Sequence, residues 1–182
     1  MKVKKILGEC LVKMGVEDFT AKQTLTQEET ALEKKLLAAL NVVYREAVTQ
    51  YVPLVTEEDV DFKDGCVKTA TLAKPIIYPI AVHRDGGTKK LKVFNDRLVA
   101  DFSGKARLRY AYMPVNDLTV DGDITDMRLT ISALSDGTLG EYYFENKVFD
   151  LAQSFDTDFR AQMSVLKNRG CRIYLKRRRW EA

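Results

Sequence analysis

Histidine is almost missing from this 182-residue chain; His83 is the only one. A histidine base needs a nucleophile and an orienting group beside it. Near His83 the sequence offers Asp85 but no serine or cysteine in an elbow or dyad, so an exposed loop histidine is expected. Cysteine is scarce as well: Cys10, Cys66 and Cys171 are odd in number, widely spaced and without a CxxC pair. That excludes a zinc knuckle or a redox pair and leaves free thiols in a reducing cytosol. No apolar run approaches the roughly 20 residues of a membrane-spanning helix. The basic start MKVKKILGECLVKMGVED is interrupted by Glu9, Lys13 and Glu17, which argues for a short amphipathic helix and against a secretory signal. Phosphate and calcium loops are missing too. Asp85-Gly86-Gly87-Thr88 is too short for a phosphate cradle, and a strand follows Lys89 and Lys90 where a helix is needed. Asp121, Asp123 and Asp126 lack the closing glutamate of a calcium loop; Asp126 is expected near a helix start instead. No catalytic, cofactor or metal set emerges, and the chain reads as a non-enzyme.

What is present is enough for one domain with a sizeable core, burying roughly 70% of the unfolded surface. Hydrophobic residues make up 46% and charged residues 30%, ordinary for a globular protein. The chain is organised around Asp123–Asn168, read as two helices folded back on each other about Glu145-Asn146-Lys147. In the second, Phe149, Ala152, Phe155, Phe159, Met163 and Leu166 recur at helical spacing. In the first, Met127, Ile131, Leu134 and Leu139 do the same, with Tyr142, Tyr143 and Phe144 closing it. Asp126 and Asp150 stand near the two starts, where a carboxylate meets the positive helix end. Gly137 and Gly140, each costing about 1 kcal/mol inside a helix, point to a close backbone approach or a kink.

Upstream, Thr26 and Glu29 form a capping-box pattern. Leu32, Leu36, Leu40, Val43, Ala47 and Tyr51 then share a helix face until Pro53 stops the run. Residues 54–116 change to β-formers, broken at Asp64-Gly65, Lys74-Pro75, Asn95-Asp96 and Ser103-Gly104, with a hairpin signal at Arg84–Thr88. Ala106, Leu108, Tyr110 and Tyr112 alternate with Arg107 and Arg109, so one sheet face is expected to be wet. Glu57, Glu58, Asp59 and Asp61 read as a solvated edge that resists stray strand pairing. The fold class is therefore α+β: amphipathic helices packed with a C-terminal helical hairpin, plus an antiparallel β-meander inserted in the middle. The expected layout of the single domain 1–182 is N-terminal helices at 1–53, β-rich segment at 54–116, hairpin at 117–168 and a basic arm at 169–182.

The charge is uneven. From Lys167 onward Lys167, Arg169, Arg172, Lys176, Arg177, Arg178 and Arg179 face Glu181 alone, a net +6, while the preceding residues sum to −3. Such a block marks contact with an acidic partner or nucleic acid. Tyr174 and Trp180 bracket Lys176, Arg177, Arg178 and Arg179; arginine forks and a tryptophan anchor suit a protein interface.

Three stretches together resemble the head–tail connector (adaptor, neck-ring) proteins of tailed bacteriophages. They are closest in layout to those below the portal in short-tailed phages and phages of Gram-positive hosts. The stretches are the N-terminal helices running into Val60–Tyr112 and Pro114; Ala133–Tyr143, similar to the family's "G-x-L-x-E-Y" hairpin pattern, continued by Phe149–Phe159; and the basic end with Arg178-Arg179-Trp180. The resemblance implies a structural virion protein assembled in the host bacterial cytoplasm. It implies a homo-oligomeric ring, commonly twelve-fold, between portal protein and tail or neck proteins. The helical body would build the wall, and Tyr174, Lys176, Arg177, Arg178, Arg179 and Trp180 would dock on the portal. DNA would pass a mildly acidic lumen without sequence-specific binding, and no cofactor, metal or membrane is involved. The basic end alone also permits a nucleic-acid-binding protein, and the layout permits another tail component such as a tail terminator.

Overall fold

The computed structural model describes residues 1–126 and 128–169. Helices α1 (Val3–Lys13) and α2 (Gln27–Glu46) precede strands β1 (Leu54–Phe62), β2 (Cys66–Lys68), β3 (Ile76–Arg84), β4 (Gly87–Lys89), β5 (Leu91–Val93), β6 (Arg97–Ala100) and β7 (Gly104–Tyr112). Helices α3 (Ile131–Glu145) and α4 (Phe149–Arg169) follow. This is the predicted α+β fold, with helices before and after a block of antiparallel strands. Two hydrophobic clusters result. One lies among the helices around Ile6, Leu36, Leu40, Leu134 and Phe159. The other lies between the sheets around Phe62, Val82, Leu98, Leu108 and Tyr110.

Local chemistry explains where α2 begins and ends. Thr26 Oγ1 accepts from the Glu29 amide at 3.2 Å, and the Glu29 carboxylate accepts from the Thr26 amide at 2.8 Å. That carboxyl is held below its ordinary range by the Thr26 amide and by Lys22. Thr26→Ala removes one half of the box and is expected to cost about 1 kcal/mol in urea or thermal unfolding. The buried face is the predicted one: Leu36, Leu40, Val43 and Ala47 are inaccessible or nearly so. The run does not stay α-helical to Pro53, however. Ala47–Tyr51 widens into a π turn, whose extra residue per turn re-aims the chain before β1.

The four-stranded sheet has the order β1-β7-β3-β4, and a three-stranded sheet has the order β2-β6-β5. The first and last strands of the β segment thus lie side by side, Leu54 opposite Tyr112 and Phe62 opposite Gly104. Asp64-Gly65 and Asp85-Gly86 take positive φ at both residues, 51° and 73°, and 51° and 76°. Tight hairpins of right-twisted strands require that pair of angles. Along β7 the predicted alternation holds: Ala106, Leu108 and Tyr110 are buried, Arg107 and Arg109 exposed.

The helical hairpin turns between Glu145 and Phe149, about the predicted Glu145-Asn146-Lys147, and Asp150 sits in the first turn of α4. Two details of the reading need correction. Asp126 does not start α3; Thr130 caps it, accepting from the Ala133 amide at 3.2 Å, while Asp126 holds the Arg128 side chain at 2.5 Å. A carboxylate with a guanidinium two residues away is satisfied locally and leaves the cap to the next hydroxyl. Second, α3 has no apolar stripe. Every residue from Ala133 to Gly140 is buried, because small side chains let α1, α2 and α4 close on three sides. Met127, predicted within this helix, lies outside the described residues.

Gly137 and Gly140 explain how. A Cβ on Gly137 would stand 2.5 Å from Val43 Cγ1 and 2.9 Å from Phe159 Cδ2, and one on Gly140 would stand 3.2 Å from the Asp156 amide nitrogen. Of the two readings offered for these glycines, close approach is the one observed. On α4, Ala152, Phe159 and Met163 are buried as predicted, whereas Phe149 is 58% exposed.

Candidate functional site

The predicted partner-binding residues Tyr174, Lys176, Arg177, Arg178, Arg179 and Trp180 lie outside the described residues. Among the described residues, two exposed phenylalanines meet at the tip of the α3–α4 hairpin. Lys147, at φ 62°, lets the chain reverse there, and the Lys147 and Val148 amides donate to the Phe144 and Tyr143 carbonyls. The reversal sets Phe144 edge-on to Phe149, ring centres 5.8 Å apart, both largely in water at 60% and 58%. Val148 and Leu151 are exposed beside them. Phe149 leaves the helical face because it stands in the first turn of α4, where its ring meets Phe144 across the bend. Tyr143, by contrast, turns inward and stacks on Phe155 at 5.8 Å. The aromatic trio is thus split between packing and surface.

Next to the tip, α2, α3 and α4 leave a groove of about 430 Å³, walled by Val43, Glu46, Gly140, Glu141, Phe144 and Phe149. Its rim is acidic. Burial pushes the Glu141 carboxyl above its usual range, and neighbouring Glu145, Glu46 and Asp156 push the same way. Arg160 is engaged by Asp156 at 2.8 Å. An apolar floor under carboxylates suits a cationic, aromatic segment better than an anionic one.

No family model matches this chain, and no curated protein is similar to it.

The other candidate places are quieter. His83 is exposed, its Nδ1 3.3 Å from Thr88 Oγ1. It borders a shallow depression of about 630 Å³ with Asp59, Asp61, Arg84, Lys105 and Arg107. The depression is polar, but its charges face one another across strands: Arg107 Nε lies 3.1 Å from Asp59 Oδ1. That pairing holds the Asp59 carboxyl below its ordinary range. A base there has a threonine hydroxyl beside it and solvent above it. Asp121 and Asp123 pair with Lys4 and Lys2 at 2.8 and 3.6 Å. They fasten the N-terminus, whose ammonium donates to the Ile124 carbonyl at 2.7 Å. Among the described residues no group of three or more possible metal ligands gathers, and no helix is long and apolar enough to cross a membrane. Cys10 is buried, its thiol pushed up to about 12 chiefly by burial, and Cys66 is half-buried; Cys171 lies outside the described residues.

Two features escape a reading by periodicity. Phe144 and Phe149 flank the turn symmetrically, and that flanking is the only signal that their rings meet at the surface. Lys13, Ser135, Asp136 and Gln162 meet as a polar knot between α1, α3 and α4. Its signal is a carboxylate set among small residues in the middle of α3.

Proposed function

We propose that this protein is a structural component of a tailed-phage virion, an oligomeric ring joining the portal to the tail while DNA passes through. The observation that carries the reading is the exposed Phe144–Phe149 tip with Val148 and Leu151. Contiguous exposed aromatics on a folded body are where protein partners bind. The layout resemblance supplies the kind of partner, and the +6 C-terminal segment supplies a cationic contact for the portal. A net −3 for the preceding residues is compatible with a lumen that repels DNA phosphates.

Removing Lys176–Ala182 tests the docking role. The expected result is a chain with unchanged circular dichroism and unfolding midpoint that no longer co-sediments with purified portal. Full binding by the truncated chain overturns the role of Lys176, Arg177, Arg178, Arg179 and Trp180. Failure of the intact chain to associate with portal overturns the connector reading itself. The same +6 block favours nucleic acid as a second reading. Binding of duplex DNA that weakens steeply with salt, together with no portal association, would select it.

A further inference from the structure

Two of the four terminal strands of the β region, β1 and β5, carry side chains of opposite charge on opposite flanks. Strand β1 ends its sheet and exchanges backbone hydrogen bonds only with β7 among the described residues. Glu57, Asp59 and Asp61 point to the wet face, Glu58, Val60 and Phe62 to the other. Glu57 and Asp59 lie 3.7 and 3.1 Å from Arg109 and Arg107 of β7 in exposed pairs that water screens, and Asp61 has no cationic partner among the described residues. Alongside runs a groove of about 680 Å³ whose far wall includes Lys63, Cys66, Val67 and Thr71. Strand β5 ends the second sheet, pairing among the described residues only with β6. It lies against β3, while β2 of the same sheet lies against β1, so β5 stands on the flank away from β1. Its surroundings are basic: Lys89, Lys90 and Lys92 have no carboxylate partner among the described residues, the neighbouring ion pairs being Arg84–Asp85 and Arg97–Asp96. Val93 and Phe94 are exposed at 59% and 48%.

We propose that the free edge of β1 in one copy takes the segment Lys90–Phe94 of a second copy as an added strand, head to tail. Alternation decides the fit. In an extended segment Lys90, Lys92 and Phe94 share one face and Leu91 and Val93 the other. Laid beside β1, the lysines meet the Glu57, Asp59 and Asp61 row, and Leu91 and Val93 continue the apolar side of Val60 and Phe62. Opposite charges directly across strands stabilise such pairing, and like charges oppose it. An acidic edge also rejects a second acidic edge, so β1-to-β1 dimers are disfavoured and the mixed contact is selected. Because one molecule carries both halves, the contact is heterologous, and repeated contacts close into a ring or run on as a filament. Closure into a ring rests on the connector reading; the strand contact does not.

Sedimentation velocity and native mass measurement of the full chain test it. Wild-type protein is expected to form oligomers that loosen as salt rises. K90E/K92E is expected to stay folded by circular dichroism and to associate about 100-fold more weakly. E57K/D61K is expected to do the same, and an equimolar mixture of the two variants to reassemble, since each now complements the other. A synthetic peptide of residues 88–95 should compete with wild-type assembly, and its charge-reversed form should not; this arm holds even if a variant fails to fold. Wild-type protein that stays monomeric at high concentration, or folded K90E/K92E that assembles normally, overturns the contact. A monomer that still binds portal would sink the strand contact and spare the connector reading; strand-dependent oligomers that ignore portal would do the reverse.

Discussion

Gly137→Leu is expected to lose about 4 kcal/mol or more, a large part of the stability of a domain of this size. The reason is geometric. Even a single Cβ at this position would sit 2.5 Å from Val43 Cγ1 and 2.9 Å from the Phe159 ring, and neither neighbour can yield. Val43 is β-branched and stiff at χ1, and it lies in the buried face of α2. Phe159 is 1% exposed and met edge-on by Tyr51 at 6.1 Å. Gly137→Ala sets two effects against each other. Alanine gains about 1 kcal/mol of helix propensity, while overpacking a dense core costs about 1–3 kcal/mol. With contacts this short the second wins, and a net loss of about 1–2 kcal/mol is expected. Pairing Gly137→Ala with Val43→Ala decides the cause. The new methyl should occupy part of the space that Val43 vacates, so the double variant should be more stable than the sum of the singles by about 1 kcal/mol. Strict additivity in urea unfolding would place the glycine's role elsewhere.

What the chain discloses by itself is what neighbours in sequence decide. The Thr26–Glu29 box, the Asp64-Gly65 and Asp85-Gly86 turns and the alternation along β7 need only a few adjacent residues, and each is found as read. Pairing of distant segments is different. Nothing within β1 says that its partner is β7, because any strand with alternating apolar residues offers the same ladder; the choice is made by how the two sheets bury Phe62, Leu108 and Tyr110 together. Helix α3 defeats a periodicity argument because it is wrapped on three sides, and a helix buried all round has no stripe to detect. Phe149 keeps the spacing of the α4 face yet falls outside the core, since spacing fixes an angle around the helix and says nothing of where the body ends. The exposed tip and the charged edges are surfaces, legible only once the core has claimed its residues. The residues that the resemblance implies for portal docking lie beyond Arg169, so the part of Lys176–Trp180 rests on the truncation experiment.

Lys13→Met should cost about 3 kcal/mol, because it leaves a charge in the interior. Lys13 Nζ lies 2.6 Å from Asp136 Oδ1 and 2.8 Å from Ser135 Oγ, while Gln162 Nε2 donates to Asp136 Oδ2 at 2.7 Å. The pair is mostly withdrawn from water, with 23% and 9% of the two side chains accessible. It ties the end of α1 to the middle of α3, and through Gln162 to α4. Removing the ammonium keeps the carboxylate's desolvation and deletes its main compensation. The exposed pairs, Lys4–Asp121 and Arg45–Asp117 among them, have no such asymmetry and should matter little when broken. Lys13→Met/Asp136→Leu separates a net contribution of the pair from the penalty of an orphaned charge. A buried ion pair replaced on both sides by apolar groups is commonly neutral, so the double variant should unfold within about 1 kcal/mol of wild type. Gln162, half-buried, can turn its amide to solvent. If the double variant instead loses as much as Lys13→Met alone, the knot stabilises the fold in its own right. If Lys13→Met costs nothing, Asp136 is served by Gln162 and water, and α1 is held to α3 without the ion pair, Cys10 contributing through its thiol, which donates to the Ser135 carbonyl at 3.7 Å.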